Sequence, residues 1–263
     1  MCRSERSQSL ATMVVTLTPV PDIPMVRPGD DLAGLLIAAC ERDALADGDI
    51  LVVAQKIVSK AEGRYVDLAK VEPSPRAQSL AAEVGKDPRL VEVILSEARR
   101  VVRHRPGVLI VEHRLGFIMA NAGVDRSNVD PEAGAEPVLL LPRDPDASAA
   151  RLLDRLAEHF RKQLAVIITD SWGRAWRRGT VGVALGAAGL PALMDMRGRP
   201  DLYGHALRVT QTGFADEVAS AASPLMGQAN EATPVVLVRG LAWSGAPSPA
   251  AALIRPAEED LFR

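Results

Sequence analysis

The chain has 263 residues, 48% of them hydrophobic and 24% charged, so it can bury a sizeable core and does not have the composition of a disordered polymer. Its net charge of −2 excludes a protein whose main task is to coat nucleic acid by phosphate neutralisation, and any anionic ligand must be held by a local group of cations. Cys2 and Cys40 are the only cysteines, too few for a disulfide framework or a thiolate zinc site, and no stretch approaches the roughly 20 apolar residues of a membrane-spanning helix. The expected setting is the cytoplasm, with neither nucleic acid nor membrane as a partner.

Residues 1–12 read as a flexible tail whose apolar run is too short for a secretory leader, and 13–263 as a single domain. MVVTLTPV has the pattern of a strand. PGDDLAGLLIAACERDAL reads as a helix with Asp30 or Asp31 near its N-terminus, where an acid complements the helix dipole, and it places Cys40 in the core. GDILVVAQ is a buried strand that changes character at QKIVSKAEGR, a corner into either a loop or a helix. Helices are expected over 73–86 and 88–100, the second with Leu90, Val91, Val93, Ile94 and Leu95 facing the core. RVVRH, GVLIVEH and GFIMANAG read as short strands, followed by a polar surface connection over 128–137.

DPDASAARLLDRLAEHFRK is the clearest helix, capped by Ser148 or an earlier aspartate, with Leu152, Leu153, Leu156 and Phe160 on one face. LAVIITDSWGR reads as a buried strand that stops at Asp170 and Ser171. FADEVASAASPLMGQ is helical up to Pro224, and PVVLVRGL is a strand. Because strands and helices mix without strict alternation, the expected fold class is α+β, with mixed sheets and helices.

Acids, amides and lysines collect at the ends of these apolar strands. Asp170 follows Ile167, Ile168 and Thr169, and Asp125 lies in NAGVDRSN just past another strand. Asp170 alone reads equally as a turn residue and Asp125 alone more often as one, but two such carboxylates suit a divalent ion that bridges phosphates. Lys56 and Lys60, if the corner is helical, lie four apart on one face and can meet a polyphosphate. There is no Walker A loop, and GVALGAAG is a weak nucleotide fingerprint because small residues also serve close backbone packing. Arg174, Arg177 and Arg178, interleaved with Trp172 and Trp176, either bind a phosphodiester or carboxylate or pair with surface acids. His104, His113, His159 and His205 lack HExxH spacing, and Ser59, Ser127 and Ser171 lack a G-x-S-x-G elbow, which argues against a zinc peptidase or a serine hydrolase.

PGDDL, GDILVVAQKIVSKAEGR, NAGVDRSNV, LLPRDPDASA, ITDSWGRAWRRG, DLYGHAL, FADEVA and PVVLVRG, in that order from about residue 20 to 240, resemble the motifs of the coenzyme F420-0:gamma-glutamyl ligase family. The resemblance implies GTP-dependent joining of L-glutamate to coenzyme F420-0 through an acyl phosphate, with release of GDP and, in some members, addition of further gamma-linked glutamates. It also implies a homodimer of intertwined, two-lobed subunits in a stand-alone form without a fused flavin-binding domain. By position it implies Asp125 and Asp170 as ligands of one Mg²⁺ or Mn²⁺, Ser171 and Gln228 as ligands of a second, K⁺ as an additional candidate ion, and Asp125, Asp170 and Lys60 as catalytic residues. The implied nucleotide positions are Ile23, Pro24, Met25 and Val26, then Gln55, Lys56, Lys60 and Asn128, then Met226, Gly227, Gln228, Ala229, Asn230, Glu231, Ala232 and Thr233. Ser171 stands where relatives can carry threonine, Gln228 where they can carry a carboxylate, and Gln55 and Lys56 where some carry small hydroxyl residues. Two other readings are an acyl-phosphate ligase or phosphotransferase for a different carboxylic acid, and a nucleotide-binding protein without turnover.

Overall fold

The computed structural model describes residues 14–261, so the expected tail over 1–12 lies outside the described residues. In chain order they form β1 (Thr16–Pro19), α1 (Leu32–Cys40), β2 (Ile50–Ala54), α2 (Gln55–Ala61), β3 (Tyr65–Asp67), α3 (Pro75–Val84), α4 (Pro88–Ser96), β4 (Ala98–Arg105), β5 (Val108–His113) and β6 (Ile118–Ala120). There follow β7 (Pro137–Leu139), α5 (Pro145–Phe160), β8 (Ala165–Arg174), β9 (Arg177–Ala188), β10 (Met194–Asp195), β11 (Gln211–Thr212), α6 (Phe214–Met226) and β12 (Val235–Arg239). The main sheet has the order β1-β12-β2-β8-β9, with β2 and β8 parallel and its other neighbours antiparallel. β4, β5 and β6 make a separate antiparallel sheet, and β3 pairs with β7. The architecture is α+β, as the sequence indicates.

The centre of the main sheet, β2, β12 and the first half of β8, is buried on both faces because these segments are apolar at successive positions rather than alternately. Leu51, Val53, Val166, Ile168, Val235 and Leu237 point into one core with α1 and α5. Ile50, Val52, Ala165, Ile167, Val236 and Val238 point into another with α6. A third core under β5 is filled by α3 and α4. Cys40 is fully buried in the first core, where burial pushes its thiol up to about 12.

Local chemistry sets the helix starts. Ser74 accepts the Ala77 N–H ahead of Pro75, Asp87 accepts the Arg89 N–H ahead of Pro88, and Asp144 accepts the Ala147 N–H ahead of Pro145. Asp31 holds the N-cap position of α1 without a side-chain cap bond, and its carboxylate pairs with Arg155 instead.

Four boundaries differ from the sequence reading. α4 stops at Ser96 rather than running to residue 100, because Ala98 already pairs with His113 in the β4–β5 ladder. α6 continues through Pro224 to Met226, where a proline in the last turns removes only one late helix bond. The connection over 128–137 ends in β7, which pairs with β3, a strand not anticipated. β8 does not end at Asp170. It runs to Arg174 because the glycine-rich stretch after it is a full partner strand, β9.

Those glycines serve packing. A Cβ at Gly182 would run into the carbonyl of Ala219 on α6, and one at Gly186 into the carbonyl of Pro145 on α5. Gly182→Val is expected to destabilise the protein by about 1–3 kcal/mol through overpacking, read as a lower urea midpoint at unchanged slope.

Glu97 ties the small sheet to the segment after α2. Its Oε2 lies 2.9 Å from Arg64 Nη2, 3.0 Å from Arg114 Nε and 3.4 Å from His113 Nε2. Burial acts to raise this carboxyl, but His113, Arg64 and Arg114 outweigh it and hold it down to about 2. A depressed acid stabilises the fold above its unfolded value of 4.5, and that contribution fades as pH falls toward 2. Glu97→Ala strands Arg64 and is expected to cost on the order of 3 kcal/mol, with a weaker acid-induced loss between pH 4.5 and 2 in chemical denaturation.

Candidate active site

β2 stops at Ala54, opposite Thr169, and the chain turns directly into α2. β8 continues past that point with β9 alone, so the main sheet opens on one side of Asp170 and Ser171. The opening forms where a neighbouring strand ends, not where β8 ends. Alternation along β8 sends Asp170 and Ser171 to opposite faces.

α2 is helical, as the pairing of its lysines requires. Lys56 Nζ lies 2.8 Å from Asp125 Oδ2 and donates to Ser127 Oγ at 2.7 Å. Ser127 in turn donates its N–H to Asp125 Oδ1 at 2.7 Å. Burial acts to raise the Asp125 carboxyl, but the bonds from Lys56 and Ser127 prevail and keep it below the usual range. Lys60, one turn on, is 6% exposed, and its ammonium has no hydrogen bond or ion pair among the described residues. Burial and the nearby charge of Lys56 lower its pKa, against an opposing pull from Asp130.

Asp125 is held by backbone. Its N–H and C=O pair with Leu139, after a turn in which Asn121, Ala122 and Gly123 have φ of 53°, 52° and 68°. Two consecutive non-glycine residues in the left-handed region cost roughly 1–2 kcal/mol each, a strain of the kind that gathers at functional sites. Burial pushes Asp170 up to about 6. The charge of Asp125 adds to this, while the Ser171 N–H at 2.8 Å, Lys56 and Gln55 oppose it.

On the other face, Ser171 Oγ donates to Gln228 Oε1 at 2.7 Å, and Asn128 Nδ2 donates to the carbonyl of Ala229 at 2.9 Å. The Ala229 N–H is bound by Glu231, whose carboxyl is lowered by that bond. These contacts shape the loop over 226–233 into the wall of a cavity of about 360 Å³, within the usual range for a small-molecule site. The cavity is lined by residues 23–26 and 226–233, by Gln55, Lys56, Lys60 and Asn128, and by Asp170 and Ser171. Asp125 adjoins it through Lys56. The positions named from the sequence therefore converge. Thr169, Ser223 and Gly182 also line it and were not anticipated. Ser223 accepts a 3.4 Å bond from Gln228 Nε2, but a serine among the alanines of α6 carries no sequence signal.

The oxygen donors of the site fall into two chemical sets. Asp125 and Asp170 offer hard carboxylate oxygens, which suits an Mg²⁺ that takes one or two carboxylates and completes its sphere with phosphate and water. No group of three or more His, Cys, Asp or Glu side chains among the described residues is gathered to hold a metal by itself. Ser171 and Gln228 present neutral oxygens only.

The arginine and tryptophan motif is split rather than clustered. Trp172 packs on Phe117, Trp176 is 87% exposed at the β8–β9 turn, and Arg174, Arg177 and Arg178 do not line the cavity. Arg174 Nε is buried without an acceptor among the described residues. The histidines sit elsewhere, His159 with Glu41 and His205 with Asp201.

The profile of a family described as F420-0:Gamma-glutamyl ligase matches residues 22–240. The chain is 47% identical over 255 residues to the coenzyme F420:L-glutamate ligase of Methanothermobacter thermautotrophicus, covering 95% of this chain and 100% of that one. It is 49% identical to the protein of that name from Methanopyrus kandleri, covering 94% and 97%, and 43% identical to that of Archaeoglobus fulgidus, covering 95% and 97%.

Proposed function

Because the chain belongs to the F420-0:gamma-glutamyl ligase family, we propose that it joins L-glutamate to coenzyme F420-0 in coenzyme F420 biosynthesis, with GTP as co-substrate. The observation that carries this reading is a cavity lined by Asp170 and by the buried Lys60, which has no partner among the described residues, with Asp125 adjoining it through Lys56.

A carboxylate oxygen is a poor leaving group. The acid therefore attacks the γ-phosphorus of GTP, GDP leaves, and the resulting acyl phosphate is displaced by the glutamate amine, which loses a proton as inorganic phosphate departs. Residues 23–26 and 226–233, Gln55 and Asn128 enclose the nucleotide. Lys60 sits in a poorly solvated place, where its charge acts strongly on the transferring phosphoryl group. Lys56 fixes Asp125 in position. An Mg²⁺ or Mn²⁺ held by Asp125 and Asp170 would supply Lewis-acid neutralisation of phosphate charge. The neutral Ser171 and Gln228 oxygens suit a weakly held ion such as K⁺, or a second divalent ion shared with phosphate.

The same reading includes a homodimer of intertwined, two-lobed subunits. In its support, the excursion between β10 and β11 leaves Leu202, Tyr203 and Val209 at 100%, 88% and 85% exposure, apolar surface suited to a second copy. No helix among the described residues is long and apolar enough to cross a membrane.

The test is mass spectrometry of F420-0 after incubation with the protein, L-glutamate, GTP and Mn²⁺, omitting each component in turn. A glutamyl mass increment confined to the complete mixture, with GDP released, is expected. GTP binding without any adduct would instead favour the reading without turnover or a different acid.

A further inference from the structure

A second cleft, of about 220 Å³, opens on the same ribbon as Asp170. Val183 pairs with Asp170 across β8 and β9 and also lines this cleft, as does Trp172, two residues along β8 and on the same face as Asp170. At 3.3–3.4 Å per residue, Trp172 stands only about 7 Å along the strand from Asp170. Phe117 meets Trp172 at 5.6 Å between ring centroids with a tilt of 54°, which makes a rigid aromatic wall. Leu253 and Ile254 also line the cleft, and Asp216 at the start of α6 supplies its charged lining together with Arg255 and Asp260.

We infer that this cleft receives the fused-ring end of the acid acceptor, with Trp172 and Ile254 as the residues that select it. The inference rests on the ligase reading above. Of the three reactants, GTP is matched by the phosphate-binding chemistry of the first cavity, and glutamate has no flat ring to lie against the Phe117–Trp172 wall. The remaining one carries a flat deazaflavin joined to its reacting carboxylate by a flexible chain, and that chain covers the short gap along β8. The volume is below the roughly 300–1,000 Å³ that encloses a whole drug-sized ligand, so the cleft takes one rigid ring system and leaves the rest outside. Asp216 gives one oxygen to the Ala184 N–H at 2.8 Å, and its other oxygen has no partner among the described residues. That oxygen is placed to accept the ring N–H of a pyrimidinedione edge.

The probe is the deazaflavin ribityl chromophore without its phosphate and carboxylate arm, titrated by fluorescence against the wild-type protein, Ile254→Trp, which fills the cleft, and Trp172→Leu, which removes its wall. The expected result is chromophore binding by the wild type and at least a tenfold weaker Kd in both variants, with a matching rise in KM for F420-0. The Kd for GTP and the far-ultraviolet circular dichroism stay unchanged. If the wild type glutamylates F420-0 but the chromophore does not bind, or binds the variants equally well, the inference is overturned and the ligase reading stands. If the wild type neither binds the chromophore nor forms the adduct, both fall.

Discussion

Asp170→Asn is expected to fold normally and to lose metal-dependent turnover by at least about 10²–10³-fold, the scale seen when one preorganised charge-stabilising group is removed. The argument starts from position. Asp170 sits inside β8, its backbone paired with Val183, so an isosteric amide keeps every ladder bond. What changes is charge, beside Asp125 and Lys56, in a place where burial, helped by the charge of Asp125, pushes the acid up to about 6 against the pull of the Ser171 N–H, Lys56 and Gln55. The sign follows from linkage. An acid whose folded pKa is raised stabilises the fold fully below its unfolded value of 3.8, and that stability is lost as pH rises through about 6. In chelator-treated protein, the wild type should therefore lose stability across that window relative to Asp170→Asn. Added Mn²⁺ should restore the wild type and leave the variant unmoved. Full activity with ordinary metal dependence in the variant would remove Asp170 from the cation site.

The same residue shows what the sequence could and could not reveal. That Asp170 closes an apolar strand next to a polar segment was legible, because the burial of Ile167 and Ile168 is written in their side chains. That β8 continues past it was not. β9 is built of small residues, Gly182, Ala184 and Gly186, whose job is to let α5 and α6 approach, and such residues give no periodic signal. The opening beside Asp170 comes from β2 ending at Ala54 in a different part of the chain, and only the parallel register of β2 with β8 reveals it. The capped helices were readable for the opposite reason. Ser74, Asp87 and Asp144 each act on residues two or three positions away, inside any local window. The Ser171–Gln228 bond joins residues 57 apart and depends on where α6 lets the chain go. Resemblance to a family could place those two residues together, whereas their spacing could not.

Lys60→Met is expected to make the protein more stable and less able to use GTP. The two effects have one cause. Lys60 is 6% exposed, its ammonium has neither hydrogen bond nor ion pair among the described residues, and burial lowers its pKa while Lys56 one turn away repels it. A lysine with a lowered folded pKa costs stability at neutral pH, where the unfolded chain holds the proton in water more easily. Methionine keeps the length and apolar stem of the side chain without the charge, so Tm should rise by a few degrees, each ~1 kcal/mol being worth about 2–4 °C at this size. A fold does not retain such a group for packing. In the cavity the ammonium is left free for an anion, and its loss should raise the KM for GTP at least tenfold while leaving the KM for glutamate within about twofold, since a charge-assisted contact to phosphate is worth about 1.5–3 kcal/mol. Calorimetry with and without GTP separates the terms. The wild type should gain stability from the nucleotide and Lys60→Met should gain much less, although it starts higher. A variant that is more stable and responds to GTP as the wild type does would leave Lys60 as a buried charge without a nucleotide to meet, and the phosphoryl-transfer role assigned to it would have to pass to Lys56.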